Sequence, residues 1–245
     1  SIVTKRQHSN VFDRIKELSG AKYSIPFNFE IGKTSSGDSR TLSIIHPYYQ
    51  LSFVELYEKY HSLMLHLFSR SNISLRKISK VAKFYYSPTF VMDEDPHKNP
   101  DVEIEPEVLD EETRYLKSYF TYKPLPLISR FYEHIEFRKL EQRFNYLTTF
   151  DISKCFYHIY THSICWAVKD KSTAKKNAGL VSFENEFDNI MQRANYNETN
   201  GILVGPEISR IFAEIILQRI DMDSVEAIDR LGCKYGVDYE VRRYV

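Results

Sequence analysis

Residues 146–159 place the tightest constraint on what this chain can fold into: an apolar run interrupted by a single carboxylate. Tyr146, Leu147 and Phe150 lead into Asp151, and Ile152, Phe156 and Ile159 follow at helical spacing. The pattern predicts a short buried strand that ends on an acid and turns into a helix, a common way to hold a charge at the mouth of a sheet. An aspartate buried among Phe, Ile and Tyr is costly unless a cation or hydrogen-bond donors satisfy it. Two partners could do so. One is a divalent metal; the other is the first turn of the following helix, with Asp151 as its N-cap. These residues alone leave both open.

A second stretch narrows the choice. Residues 200–217, Asn-Gly-Ile-Leu-Val-Gly-Pro-Glu-Ile-Ser-Arg-Ile-Phe-Ala-Glu-Ile-Ile-Leu, form a glycine-bounded loop that feeds an apolar helix. Gly201 and Gly205 permit close backbone approach. Taken with Asp151 and Phe156, and with Gly201, Gly205 and Ser209 in the pattern G-x-x-x-G-x-x-x-S, the chain resembles the reverse transcriptases. The similarity is greatest to the bacterial abortive-infection, or defence-associated, enzymes, through 150–156, 160–163 and 212–217. It is specific over about 110–245 and weaker before that. Arg242-Arg243-Tyr244-Val245 would then open the family's Tyr-x-Asp-Asp hairpin, with the two aspartates beyond Val245.

The resemblance implies an α+β architecture: a reverse-transcriptase-like palm, an antiparallel sheet with helices, joined to a mainly helical fingers region. Residues 1–147 would be fingers-like, with an acidic loop at 92–112, and 148–245 a partial palm that stops before the catalytic Asp-Asp. It implies two-metal nucleotidyl transfer, with Asp151 as catalytic acid and metal ligand and the Ile152 carbonyl completing one shell. Magnesium, or manganese in its place, would be the cofactor, and deoxynucleoside triphosphates (dNTPs) the substrates. Phe156 would be the steric gate against a ribose 2′-hydroxyl, with Gly201 and Gly205 in the nucleotide pocket and Lys123 and Arg130 on the triphosphate. Template and primer, RNA or DNA, stay open. Leu203-Val204 stands where ordinary reverse transcriptases carry Pro-Gln, a departure that puts conventional template copying in doubt and leaves templated and untemplated synthesis both open, and the full-length protein would be a homo-oligomer. With one of three catalytic acids, residues 1–245 alone should transfer no nucleotide.

Charge is unevenly distributed although the net is zero. Residues 1–90 hold 13 Lys/Arg against 6 Asp/Glu, and residues 92–112 hold 1 against 10. The acidic segment masks a basic region of the kind that binds nucleic acid or triphosphate, though a solvated surface gives similar numbers. Cys155, Cys165 and Cys233 form no CxxC pair and suit a reducing cytoplasm. No stretch approaches eighteen apolar residues, so no membrane association is expected.

Along the chain, the pattern predicts a helix near 10–19 within an irregular arm reaching residue 45, then a long helix opened by His46-Pro47. Leu51, Val54, Leu56, Tyr57, Tyr60, Leu63, Met64, Leu67 and Phe68 recur on one stripe of it. A second helix is expected over 73–86, carrying Arg76, Lys77, Lys80 and Lys83 beside Phe84, Tyr85 and Tyr86. Basic residues interleaved with aromatics suit a nucleic-acid strand, and equally an ordinary charged helix face. That stripe supports the alternative function, a non-catalytic RNA-binding or self-assembly module. A strand or hairpin is expected in 117–127, and helices over 131–147, 183–194, the glycine loop to 220, and 224–231. His158 and His162, spaced i, i+4, read as packing or hydrogen bonding. A charged turn at 169–177 and a strand at 239–245 complete the reading.

Overall fold

The computed structural model describes residues 22–32, 39–82, 119–125, 127–169 and 181–245. The expected helix at 10–19, the acidic loop 92–112, Lys83 and most of the charged turn at 169–177 lie outside them. The described residues form a mixed α+β fold with seven helices and two small antiparallel sheets.

Strands β1 (Phe27–Gly32) and β2 (Ser39–Ile44) pair from Phe27 with Ile44 to Gly32 with Ser39, where the sequence suggested only an irregular arm. Helix α1 (Pro47–Phe68) follows. Pro47 sits in its first turn, where a missing N–H costs nothing, and the His46 ring accepts from the Tyr48 amide. Its buried residues are Tyr49, Phe53, Leu56, Tyr57, Met64, Leu67 and Phe68, so the stripe is rotated from the expected one and leaves Val54 exposed.

Over its described part, residues 73–82, the helix expected at 73–86 is not formed. Residues Arg76–Val81 are strand β3, antiparallel to β4 (Phe120–Pro124), with Lys77 opposite Lys123 and an irregularity between Ile78 and Lys80. Leu75, Ile78 and Val81 fit a helical period, but Ile78 and Val81 are β-branched and their partner strand lies about forty residues downstream. Pairing with that strand overrides the local period.

The expected helix 131–147 is instead two short ones, α2 (Ile128–Glu133) and α3 (Ile135–Arg143), broken at His134, whose backbone is extended (φ −76°, ψ 148°). From Phe144 to α4 (Cys155–His158) the chain has no regular secondary structure and joins no sheet. Helices α5 (Ser163–Val168), α6 (Phe183–Arg193) and α7 (Glu207–Asp229) complete the order. The two helices expected in 207–231 are therefore one. Apart from Arg210, residues 208–218 of α7 are all buried, which makes it the central element.

One core joins α1, α6 and α7. The Phe187 ring meets Phe212 edge-on at 4.9 Å and Phe53 at 6.4 Å, and Phe183 meets Tyr60 at 5.2 Å. Each such ring withdrawn from water contributes about 1.5–3 kcal/mol. This core draws on both sides of residue 147. A smaller one gathers Leu75, Leu125 and Phe131 with Phe137, Leu140 and Tyr244. Among the described residues no helix is long and apolar enough to cross a membrane.

Candidate nucleotide site

The two stretches singled out in the sequence meet. The Gly201 amide donates to the Ile159 carbonyl at 2.9 Å, and the Ile202 amide to the Phe156 carbonyl at 2.8 Å. Thr161 N–H donates to Thr199 O, and Tyr160 forms an antiparallel bridge with Asn200. The loop can lie so close because position 201 is glycine. Its φ is +86°, and a Cβ there would stand 3.1 Å from the Tyr157 carbonyl oxygen. Gly205, with φ +118°, comes against β2 instead, where the Ser43 amide donates to Val204 O at 2.8 Å. Phe156 is half-buried and packs on the main core from this junction.

Asp151 lies just before this junction, in an exposed segment without regular secondary structure. It is neither at the end of a paired strand nor a helix cap: the residue before α4 is Lys154, with a left-handed backbone (φ 53°) and no capping side-chain bond. Tyr146, Leu147, Phe150 and Ile152 are 92, 70, 83 and 55% exposed, which corrects the expectation of a buried run. A strand needs a neighbour for its amides and carbonyls, and none of the described strands pairs with these residues. The Cys155 thiol reports the local field. Burial pushes its pKa up, Arg243 pulls it down and Asp151 pushes it up further. Asp151 and Arg243 therefore act on one side chain.

The donor set for a metal is partial. Asp151 offers one carboxylate, and the Ile152 carbonyl already accepts from Cys155 N–H at 3.3 Å while keeping a second lone pair. Among the described residues no group of three or more His, Cys, Asp or Glu side chains could hold an ion. Magnesium is commonly held by one or two carboxylates together with water and substrate phosphates. Asp151 and Ile152 fit as part of such a shell and do not constitute one.

The proposed cationic residues are dispersed. Arg76 donates to the Tyr244 hydroxyl at 3.3 Å and lies against the Tyr122 and Tyr244 rings. The Lys77 ammonium donates to Ser71 O and Asn72 Oδ1 at 2.7 and 3.0 Å, and burial lowers its pKa. Lys80 is exposed. The single basic helix face is thus replaced by a strand whose first two cations bind the protein itself. Lys123 is paired within β4. Arg130, on α2, stands 3.9 Å from Glu133 and beside the smaller core; the junction with Gly201 and Phe156 is built by other elements.

Three polar clusters escaped the sequence reading. Tyr122 donates its hydroxyl to Glu207, which also pairs with Arg210, and the Arg210 guanidinium stacks 4.0 Å from the Tyr122 ring. His162 Nδ1 contacts Asp188 Oδ2 at 2.5 Å, and Gln192 donates to the other oxygen at 2.7 Å; this realises the hydrogen-bonding role read for His162. Arg243 pairs with Glu214 and Asp221 on α7. Their signal was the recurrence of Glu214, Gln218 and Asp221 at i, i+4, i+7 within an otherwise apolar helix. No protein-family model matches the chain, and a search of curated proteins returns no match.

Proposed function

We propose that this chain is the fingers and the beginning of the palm of a DNA-synthesising reverse transcriptase of the abortive-infection, phage-defence type. The observation that carries the reading is the junction between Phe156 and the Gly201 loop: Phe156–Ile202 and Ile159–Gly201 hydrogen bonds hold the stretch that follows Asp151 to the glycine-bounded loop that leads to Ser209. Such a junction puts an aromatic ring beside backbone able to approach a nucleotide closely.

In this reading Asp151 is an open carboxylate at the entrance of that junction. Its exposure leaves it free to take a cation, and Phe156 is held by its own backbone bonds so that its ring can exclude a ribose 2′-hydroxyl. The exposed segment 144–152 corresponds to a palm strand whose neighbours the reading places after Tyr244-Val245, together with the remaining carboxylates. Bound magnesium would supply charge stabilisation and nucleophile activation for phosphoryl transfer.

The test is incorporation of labelled dNTP by a protein carrying this chain together with the residues encoded after Val245. Asp151→Ala should lower incorporation by roughly a thousandfold, the equivalent of about 4 kcal/mol of transition-state stabilisation. Residues 1–245 alone should give none. Full synthesis by Asp151→Ala would remove the residue from the reaction. A self-assembly module is the second reading, favoured by the exposed Tyr146, Leu147 and Phe150. It predicts self-association of the wild-type chain with no incorporation by the longer protein.

A further inference from the structure

Beside Tyr244 lies a guanidinium bonded to four carboxylate oxygens. The Arg243 guanidinium donates to both Glu214 oxygens, Nη1 to Oε2 at 2.7 Å and Nη2 to Oε1 at 3.0 Å. It also donates to both Asp221 oxygens, Nε to Oδ1 at 3.0 Å and Nη2 to Oδ2 at 2.8 Å. The Glu214 side chain is 1% exposed and that of Asp221 8%. Between them on α7, Gln218 donates to Glu214 Oε1 at 2.9 Å and accepts from the Ser71 amide at 2.6 Å. Burial acting alone would lower the pKa of Arg243; its hydrogen bonds to Glu214 and Asp221 outweigh that and hold the cation in place. Lys77 also lies in the field of both carboxylates, so two buried negative charges face two cations.

The backbone that carries Arg243 is thinly held. Residue 243 forms an isolated parallel bridge with Ser74, made by two hydrogen bonds: Leu75 N–H to Arg243 O at 2.8 Å and Arg243 N–H to Ile73 O at 3.0 Å. Two ladder bonds do not define a register strongly, and a slip of one residue reverses the side on which every side chain falls. The side chains supply what the ladder lacks. Arg242 donates to Glu136 on α3 at 2.7 Å and contacts Glu240 at 2.7 Å. Arg243 turns to α7, and the Tyr244 hydroxyl receives Arg76 of β3. Three successive residues are thus tied to three different elements.

We propose that Arg243 is a positioning residue. Its fork across Glu214 and Asp221 locks residues 241–245 in register against residues 73–75 and so sets where Tyr244 and Val245 lead. The functional half rests on the polymerase reading, in which Tyr244 opens the hairpin that approaches Asp151. A planar guanidinium is required because lysine cannot present a fixed fork to two carboxylates.

The register is tested in the 245-residue chain by amide hydrogen exchange at Leu75 and Arg243, with Ile202 as internal control. Arg243→Lys keeps the charge and loses the fork. It should speed exchange at both amides by roughly tenfold while leaving Ile202 unchanged. The triple variant Glu214→Gln, Asp221→Asn, Arg243→Met removes all three charges at similar volume, a replacement that often leaves global stability intact. It should speed the same amides by roughly a hundredfold at nearly the wild-type Tm. Unchanged exchange in Arg243→Lys overturns the clamp whether or not the triple variant folds. In the longer protein, Arg243→Lys should lower kcat for dNTP incorporation about tenfold or more with KM unchanged. Faster exchange with unaltered kcat overturns the functional half. Absence of incorporation by the wild-type protein would instead sink the polymerase reading, a result separable from the exchange measurement.

Discussion

Gly201 and Gly232 share a left-handed backbone, with φ of +86° and +88°, but not the same surroundings. A Cβ on Gly201 would stand 3.1 Å from the Tyr157 carbonyl oxygen, whereas one on Gly232 would meet nothing within 4 Å. Alanine at either site incurs the left-handed penalty of roughly 1–2 kcal/mol. The stiffer unfolded chain returns about 0.4–1 kcal/mol of this. Gly232→Ala should therefore cost about 0.5–1.5 kcal/mol, the backbone contribution alone. At Gly201 the contact adds to it, because Tyr157 has little room to retreat. The Tyr157 amide donates to Lys154 O at 3.0 Å, and the flanking Phe156 and Ile159 carbonyls are held by Ile202 and Gly201. Loosening one of those bonds costs about 1 kcal/mol, so Gly201→Ala should cost about 1.5–2.5 kcal/mol. Urea unfolding followed by far-UV circular dichroism gives both values, provided the m-value is unchanged. In a chain of this size the extra kilocalorie lowers Tm by about 2–4 °C. Equal costs at the two positions, within about 0.3 kcal/mol, would refute the claim that close approach of α4 requires glycine at 201.

Phe156→Val should raise ribonucleotide use relative to deoxynucleotide use by about tenfold or more in the longer protein; an unchanged ratio measured with labelled NTP and dNTP would take the ring out of the sugar pocket. Burial first, then Asp188 and Glu184, push the Cys165 thiol up to about 11. At pH 8 it should react with iodoacetamide about a hundredfold more slowly than the exposed Cys233. The same shift has a defined effect on stability. Below pH 9 the thiol is protonated in both states; between pH 9 and 11 the unfolded chain loses its proton first, so stability falls as pH rises. Cys165→Ala should flatten that decline in urea titrations, and an identical decline in both proteins would contradict the buried environment.

Much of the helical framework could be read directly. Helix α1, helix α6 and the first half of α7 each carry an apolar period over three turns or more, and α1 has Pro47 at its start. The meeting of Phe156 and Ile159 with the Gly201 loop was readable only in part. The resemblance places the two glycines against a nucleotide; at Gly201 the close neighbour is the chain's own Tyr157 carbonyl. Strand β3 was misread because Leu75, Ile78 and Val81 satisfy a helical period, while the residues that make it a strand are those of β4. The polar triad on α7 was visible as Glu214, Gln218 and Asp221 on one face, without any sign of which cation would come to it.

By itself, the sequence determined the apolar helices α1, α6 and the first half of α7, and the start of α1 at Pro47. These depend on residues a few places apart. Tertiary structure alone decided that residues 76–81 pair as a strand, that Asp151 stands in the open, and that Arg243 reaches Glu214 and Asp221, 29 and 22 residues earlier. Strand pairing, solvent exposure and charge satisfaction depend on which distant groups arrive, and a local period carries no information about arrivals.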